Sequence, residues 1–133
     1  MTKYRFIVLL SFCLLIMCVG YVNASTKNVL KDKVIYIDPG HGGIDPGTIY
    51  KSIYEKDINL KISMELKDVL ERNGAIVYLT RSDDYDLAVT NTINRKRSDL
   101  SRRANAINKS NCDMYLSIHL NSEKTGTWRG PQV

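Results

Sequence analysis

The sequence has 133 residues, of which 44% are hydrophobic and 25% charged, and its formal net charge is +5. This composition is ordinary for a globular protein and excludes a chain that is disordered throughout, and the length suits one domain better than two. Without Lys3 and Arg5, which lie in a predicted export signal, the net charge is +3. That surplus would favour an anionic partner, but it is too small to indicate nucleic-acid binding.

The N-terminal segment has the three parts of a secretory signal. Lys3 and Arg5 form a positive start, residues 6–22 are an uncharged apolar run, and Val22-Asn23-Ala24 offers small residues for cleavage. The run of 17 residues is also just long enough for an uncleaved membrane anchor. The pattern predicts export and divides the chain into a signal peptide or anchor (residues 1–24), a linker (residues 25–32) and a folded domain (residues 33–133).

In the first half of the domain, the sequence predicts a strand, a flexible loop and a helix. Residues 34–37 are a β-rich apolar run ended by Asp38-Pro39-Gly40, which is typical of a buried strand. The loop of residues 40–53 holds four of the eight glycines, and a loop of this kind directly after a strand favours a functional site. Apolar residues at helical spacing then predict a helix over residues 55–73, which Gly74 ends.

The second half repeats the alternation. Strands are predicted at residues 75–80 and 114–119, a polar loop at residues 81–97 and a helix at residues 99–109. Hydrophobic strands that alternate with helices predict an α/β fold with a largely parallel twisted sheet and helices on both faces. A fourth apolar run is only beginning at Val133, so we expect the sequence to be incomplete at its C-terminus.

Both histidines of the sequence fall at the ends of predicted parallel strands. His41 follows the first strand, His119 ends the third, and Glu55 opens the first helix. Ligands bind at this edge of an open α/β sheet, and two imidazoles with one carboxylate are a ligand set of catalytic zinc sites. Each residue also has a plainer interpretation, because strand-end histidines often make structural hydrogen bonds and Ser52-Ile53-Tyr54-Glu55 fits a helix capping box.

Five motifs in order resemble the zinc-dependent N-acetylmuramoyl-L-alanine amidases of the amidase-3 family. The resemblance covers residues 34–133 and is carried by Ile37-Asp38-Pro39-Gly40-His41-Gly42-Gly43, Glu55-Lys56-Asp57-Ile58-Asn59-Leu60, Leu79-Thr80-Arg81, Leu100-Ser101-Arg102-Arg103 and Ser117-Ile118-His119-Leu120-Asn121. A finer similarity to the germination-specific, spore-cortex branch is carried by residues 95–100 and 128–133.

The resemblance implies a function and a set of site residues. It implies that one Zn²⁺ is held by His41, Glu55 and His119, that Asn121 binds substrate, and that peptidoglycan is cut between N-acetylmuramic acid and L-alanine outside the cytoplasm. The family's second glutamate, a general base, has no counterpart here, since Glu123 lies just past His119 and outside its position. The resemblance therefore implies that the base, together with further strands and a helix, lies C-terminal to Val133.

Two alternatives and one charged segment stay open. The chain could be another exported zinc hydrolase, such as a carboxypeptidase acting on stem peptides, or a non-catalytic remnant that binds the wall or a partner. The basic run of residues 95–97 and 102–103 is interpreted as a solvated lead-in to the second helix, with a wall-binding patch as the alternative.

Overall fold

The computed structural model describes residues 28–122 together with Tyr4, Thr127 and Gly130. Apart from Tyr4 and Gly130, the predicted export signal and the segment 128–133 lie outside these residues. Within the described ranges, no helix has the length and apolar character needed to cross a membrane. The elements in chain order are β1 Val34–Pro39, β2 Ile49–Tyr50, β3 Ile53–Tyr54, α1 Glu55–Arg72, β4 Ile76–Leu79, α2 Arg95–Lys109 and β5 Met114–Ile118.

A parallel three-stranded sheet in the order β4–β1–β5 forms the centre of the fold. The central strand β1 is largely buried, whereas β4 and β5 are partly exposed. The connections through α1 and α2 make both pairings parallel. The predicted α/β class with a parallel sheet is therefore confirmed. Because all three strands run the same way, the residues that follow Pro39, Leu79 and Ile118 meet at one edge.

Alternation along the strands separates two faces of the sheet. On one face Ile35, Ile37 and Val77 are buried and form the core with residues of α1, including Leu66 and Leu70. On the other face the rings of Tyr36 and Tyr78 stack with their centroids 6.0 Å apart. Helix α2 reaches the carboxyl end of this second face through the contact of Arg103 with Asp38. Helix α1 therefore packs on the first face, and α2 contacts the second face at its carboxyl end, while Tyr78 and Tyr115 on that face are 52% and 61% exposed.

The start of α2 predicted from the sequence was too late. The helix begins at Arg95 rather than at residue 99, so the last part of the predicted loop 81–97 is helical. Asn94 is its N-cap, with the side-chain oxygen accepting a hydrogen bond from the backbone N–H of Arg97 at 3.2 Å. The polar first turn has no apolar residue, so it lacks the periodicity that marks a helix. Leu100, expected on the apolar face, is 56% exposed.

Strands β2 and β3 form a small antiparallel hairpin within the glycine-rich loop. Each strand has two residues, which is too short to show an alternating pattern, and the sequence did not predict them. The hairpin leads directly into α1, whose first residue is Glu55. It therefore positions the start of that helix beside the carboxyl edge of the sheet.

Candidate metal centre

The structure brings together the three residues predicted as metal ligands. His41 follows β1, His119 follows β5 directly, and Glu55 opens α1. One potential ligand atom from each residue lies within 4.8 Å of the other two. Among the described residues this is a cluster in which three metal-binding side chains converge. The convergence follows from the parallel sheet, which carries both strand ends to the same edge.

Distances within the cluster suit a tetrahedral ion. Oε1 of Glu55 lies 3.2 Å from Nε2 of His41 and 3.1 Å from Nδ1 of His119. Two ligands at zinc bond lengths of about 2.0–2.1 Å are about 3.3 Å apart in a tetrahedron. The imidazole rings meet edge to face, with centroids 4.8 Å apart and an interplanar angle of 83°. These two distances and the His–Glu–His donor set fit a zinc ion with an open fourth position, and all three donor atoms lie within 4.8 Å of one another.

Glu55 is buried, and its carboxylate accepts hydrogen bonds on both oxygens. The backbone N–H of Thr48 donates to Oε2 at 2.8 Å, and the backbone N–H of Leu120 donates to Oε1 at 2.9 Å. Burial raises the pKa of this carboxyl, but the bonds from Thr48 and Leu120, with those from Asn59 and His119, outweigh it and lower the pKa to about 2. The group is therefore a fixed anion.

The capping-box interpretation of Glu55 is wrong. Tyr54 is the N-cap of α1, and no side chain caps the helix. The carboxylate instead reaches across to the loop at Thr48 and to the strand end at Leu120. At the first helical position, the negative charge of Glu55 is still stabilised by the positive end of the helix dipole. Its side chain is thus committed to the sheet edge, where the histidines lie.

Asp45 fixes the orientation of His41. Its Oδ2 lies 2.9 Å from Nδ1 of His41, and its Oδ1 accepts the backbone N–H of Gly47 at 3.1 Å. Burial raises the pKa of Asp45, but the bonds from His41 and Gly47 outweigh it and lower the pKa. A carboxylate on one imidazole nitrogen leaves the other as a lone-pair donor for a metal. Here that other nitrogen, Nε2, faces Glu55.

Two glycines make room for the ligand side chains. A Cβ at Gly40 would lie 2.3 Å from Cε1 of His119, and a Cβ at Gly47 would lie 2.6 Å from His41 and 2.7 Å from Glu55. Gly47 also has a positive φ of 66°, which disfavours other residues. The glycine-rich loop therefore serves close packing around the cluster as well as flexibility.

Two buried arginines clamp the backbone that carries His41. Arg81 donates to the carbonyls of Pro39 at 2.9 Å and Gly40 at 3.0 Å, and Arg103 donates to those of Pro39 at 2.9 Å and His41 at 2.7 Å. His41 has a φ of 63°, a left-handed conformation that costs a residue with a side chain roughly 1–2 kcal/mol. Such strain persists only where neighbouring groups hold it, and these four bonds do so.

Arg103 also joins the clamp to the sheet. Its guanidinium bonds Asp38 and Asp99, each at 2.7 Å, and Asp38 in turn accepts the hydroxyl of Thr80 at 2.5 Å. Burial lowers the pKa of Arg103, but Asp99 and Asp38 outweigh it, so the pKa is raised. The expectation that the basic run is solvated is wrong for Arg103, which is 4% exposed.

Arg81 is buried in a different way. It is 1% exposed, and besides Pro39 and Gly40 it bonds the carbonyls of Lys56 and Asp83. Burial and the nearby charge of Arg103 lower the pKa of Arg81. The sequence showed both arginines only as parts of family motifs. Nothing in the local pattern distinguishes a buried arginine from a solvated one.

The cluster opens into a cavity of about 560 Å³, which Asp45, Lys96, Asn121 and Ser122 also line. The predicted substrate residue Asn121 is therefore placed beside the three metal-binding side chains. Glu123, weighed and set aside as a general base, lies outside the described residues. An open cavity beside a three-ligand set is the arrangement of a hydrolytic metal site.

Comparisons with known proteins agree with this geometry. The chain is 42% identical over 106 residues to a germination-specific N-acetylmuramoyl-L-alanine amidase of Bacillus subtilis, covering 77% of this chain and 45% of that protein. It is 42% identical over 95 residues to a probable cell wall amidase, LytH, of Staphylococcus aureus, covering 68% of this chain and 32% of that protein. The chain thus spans half or less of these curated relatives.

A solved structure shares the fold. The CwlD amidase of Clostridioides difficile, solved in complex with the GerS lipoprotein, is 41% identical with a TM-score of 0.69, over 73% of this chain and 52% of that chain. The family model described as N-acetylmuramoyl-L-alanine amidase matches residues 35–133. This match includes all three metal-binding side chains and both clamp arginines. The chain therefore belongs to the N-acetylmuramoyl-L-alanine amidase family.

Proposed function

We propose that the protein hydrolyses, with zinc, the amide between N-acetylmuramic acid and L-alanine in peptidoglycan. The observation that carries the proposal is the convergence of His41, Glu55 and His119 at one sheet edge, inside an open cavity. The names of the relatives supply the bond and the polymer. The ligand set alone would also suit a zinc carboxypeptidase, and it is the names of the relatives that favour the amidase.

Different residues of the chain have different roles in this reaction. A zinc ion, when bound, supplies a Lewis acid for the carbonyl and lowers the pKa of a water toward ~7. His41, Glu55 and His119 would hold it, and the pKa of about 2 keeps Glu55 anionic for this role. The hydrogen bond to Asp45 holds His41 in one orientation, so that the ligands need little rearrangement.

The proton of the attacking water needs a separate base. Among the described residues, the carboxylates that line the cavity are Asp45 and Glu55, and both are engaged, Asp45 with His41 and Glu55 with Thr48 and Leu120. A glutamate beyond Val133, as in the family, would take the proton and pass it to the leaving amine. We propose this assignment in keeping with the resemblance.

The activity is tested by counting new L-alanine amino termini in purified peptidoglycan. We expect robust release from this chain extended by the C-terminal part of the Bacillus subtilis relative, with zinc supplied. We expect release lower by about 10²–10⁴ from the 133-residue chain, since a general base contributes that factor. Release of a different terminus, such as a D-alanine, would favour a carboxypeptidase instead.

Zinc content gives the control for this assay. His41→Ala and His119→Ala should each lose most of the bound zinc and the release of L-alanine termini, because two remaining ligands rarely hold a catalytic zinc. Lys51→Ala alters an exposed loop residue away from the cavity and should retain both. Full zinc content in His41→Ala would remove this residue from the site.

We further propose that residues 1–24 carry the protein across the membrane and that its substrate is spore cortex. The N-terminal charge and apolar pattern supports export, and the similarity to the germination-specific amidase supports the cortex. A reporter fused after Ser25 should appear outside the cytoplasm, and its retention inside would contradict export. In the release assay, cortex peptidoglycan should be cut faster than vegetative wall.

A further inference from the structure

Lys96 stands between the metal cavity and a second, smaller cavity. It is the second residue of α2 and lines both the 560 Å³ cavity and its neighbour of about 310 Å³. Asp45 is the other residue that lines both. Lys96 therefore lies on the wall that the two cavities share, beside the residue that orients His41.

The carboxylates around Lys96 already have partners. Asp86 receives two bonds from Arg95, each 2.9 Å long, and Asp99 is bound by Arg103 at 2.7 Å. Asp45 is engaged by His41 and Gly47. The Lys96 side chain is exposed and, within the described part of the chain, its ammonium group forms no hydrogen bond or ion pair, although its charge helps to lower the pKa of Asp45. Its ammonium group is therefore available to a ligand.

The charge of the cavity makes this lysine important for an acidic ligand. The described residues that line the metal cavity include two carboxylates, Asp45 and Glu55, and Lys96 is the one lysine or arginine among them. A bound zinc ion would offset the charge of Glu55, and Asp45 is engaged by His41, so neither carboxylate bars an anionic group from the cavity. Lys96 then adds a positive charge on one side of the metal centre, which attracts such a group.

We propose that Lys96 binds a carboxylate of the stem peptide and makes the site selective for acidic stems. The inference rests on the proposed function, which puts the amide of that peptide at the metal. An amide at His41, Glu55 and His119 would lie in the cavity that Lys96 lines, and Lys96 is the lysine or arginine among the described lining residues that could meet a carboxylate of the attached peptide. An ammonium–carboxylate hydrogen bond is stronger than a neutral one, so it discriminates between an acid and its amide.

The test compares two ligands that differ in one group. N-acetylmuramoyl-L-alanyl-D-glutamate with its γ-carboxyl blocked as the amide is paired with the corresponding diamide, both with a ketomethylene in place of the scissile amide to prevent hydrolysis. Calorimetric titration of the zinc-loaded chain at low salt should show the acid binding about fivefold tighter than the amide, in the range of a partly exposed ion pair. At high salt this preference should shrink, because the lysine is exposed.

Variants assign the preference to one side chain. Lys96→Gln should bind acid and amide equally, Lys96→Arg should keep the preference, and Lys96→Glu should reverse it. Arg97→Gln is the matched control, because Arg97 is an exposed neighbour on the same helix that does not line the cavity. Zinc content and Tm should match the parent in all four variants, since Lys96 and Arg97 are both exposed.

The possible outcomes distinguish the role of Lys96 from the proposed amidase function on which it rests. Equal binding of acid and amide by the parent, or an unchanged preference in Lys96→Gln, would overturn the role of Lys96 and leave the amidase proposal standing. Binding of neither ligand by the zinc-loaded parent would contradict both. A preference that is lost in Lys96→Gln and retained in Arg97→Gln supports the inference.

Discussion

Replacing Glu55 with glutamine is expected to lower zinc affinity by at least about 100-fold and to destabilise the apoprotein. The affinity falls because a neutral amide supplies no charge to the ion, and even outer partners of metal ligands contribute ~10–100-fold. The apoprotein suffers because both carboxylate oxygens accept backbone N–H groups, from Thr48 and Leu120. A glutamine must turn its NH₂ toward one of these donors, and a buried unpaired group costs about 1–3 kcal/mol.

The pH dependence of stability should change with the same substitution. The folded-state pKa of Glu55, about 2, is below its ordinary value of 4.5. A carboxyl with a lowered pKa adds stability that is complete above the ordinary value and is lost as the pH falls toward the folded one. Part of the parent's loss of stability in acid should therefore be absent from the Glu55→Gln variant, as measured by urea unfolding of the apoprotein.

Glu65→Gln is the matched control for this experiment. Glu65 is an exposed carboxylate on the same helix, so its substitution should leave both zinc affinity and stability within about 0.5 kcal/mol of the parent. His119→Ala separates the two effects, because the His119 side chain is 47% exposed and should affect zinc more than folding. A Glu55→Gln variant with parental zinc affinity would exclude Glu55 as a ligand.

Much of the fold could be predicted because its strands and first helix carry their own patterns. The runs around Ile35, Val77 and Leu116 are apolar enough to mark buried strands, and α1 shows helical spacing. The start of α2 and the β2–β3 hairpin could not be predicted. The first is a polar turn defined by the cap at Asn94, and the second is defined by pairing across a loop, which local sequence does not encode.

The proposed ligands could be predicted from the rule that parallel strand ends meet at one edge, sharpened by the family resemblance. The groups that support them could not. Asp45, Arg81 and Arg103 act through contacts with residues distant in space, and their sequence neighbourhoods are those of any polar loop or helix. The charged residues of α2 include one buried side chain, Arg103, among more exposed ones, and only tertiary structure distinguishes them.

Replacing Arg103 with methionine is expected to destabilise the protein by about 3–5 kcal/mol, a large share of the ~5–15 kcal/mol that holds a typical domain together. The substitution leaves the buried Asp38 without its cationic partner and frees the carbonyls of Pro39 and His41. Without the clamp, His41 is expected to relax from its φ of 63° and to turn its ring away from Glu55. The zinc affinity of this variant should therefore also fall, by ~10–100-fold.

A structural role alone would lower stability without altering the metal site, so the readout must separate the two. Arg103→Lys keeps the buried charge for Asp38 but has too few donors, and the wrong geometry, to reach both loop carbonyls as well. It should recover much of the Tm lost in Arg103→Met while retaining the weaker zinc affinity. With cobalt in place of zinc, its visible absorption bands should differ from those of the parent, because the His41 ligand is displaced. Arg102→Met, an exposed neighbour on the same helix, should match the parent in all three measurements. Parental cobalt spectra and zinc affinity in Arg103→Lys would show that Arg103 stabilises the fold without positioning His41.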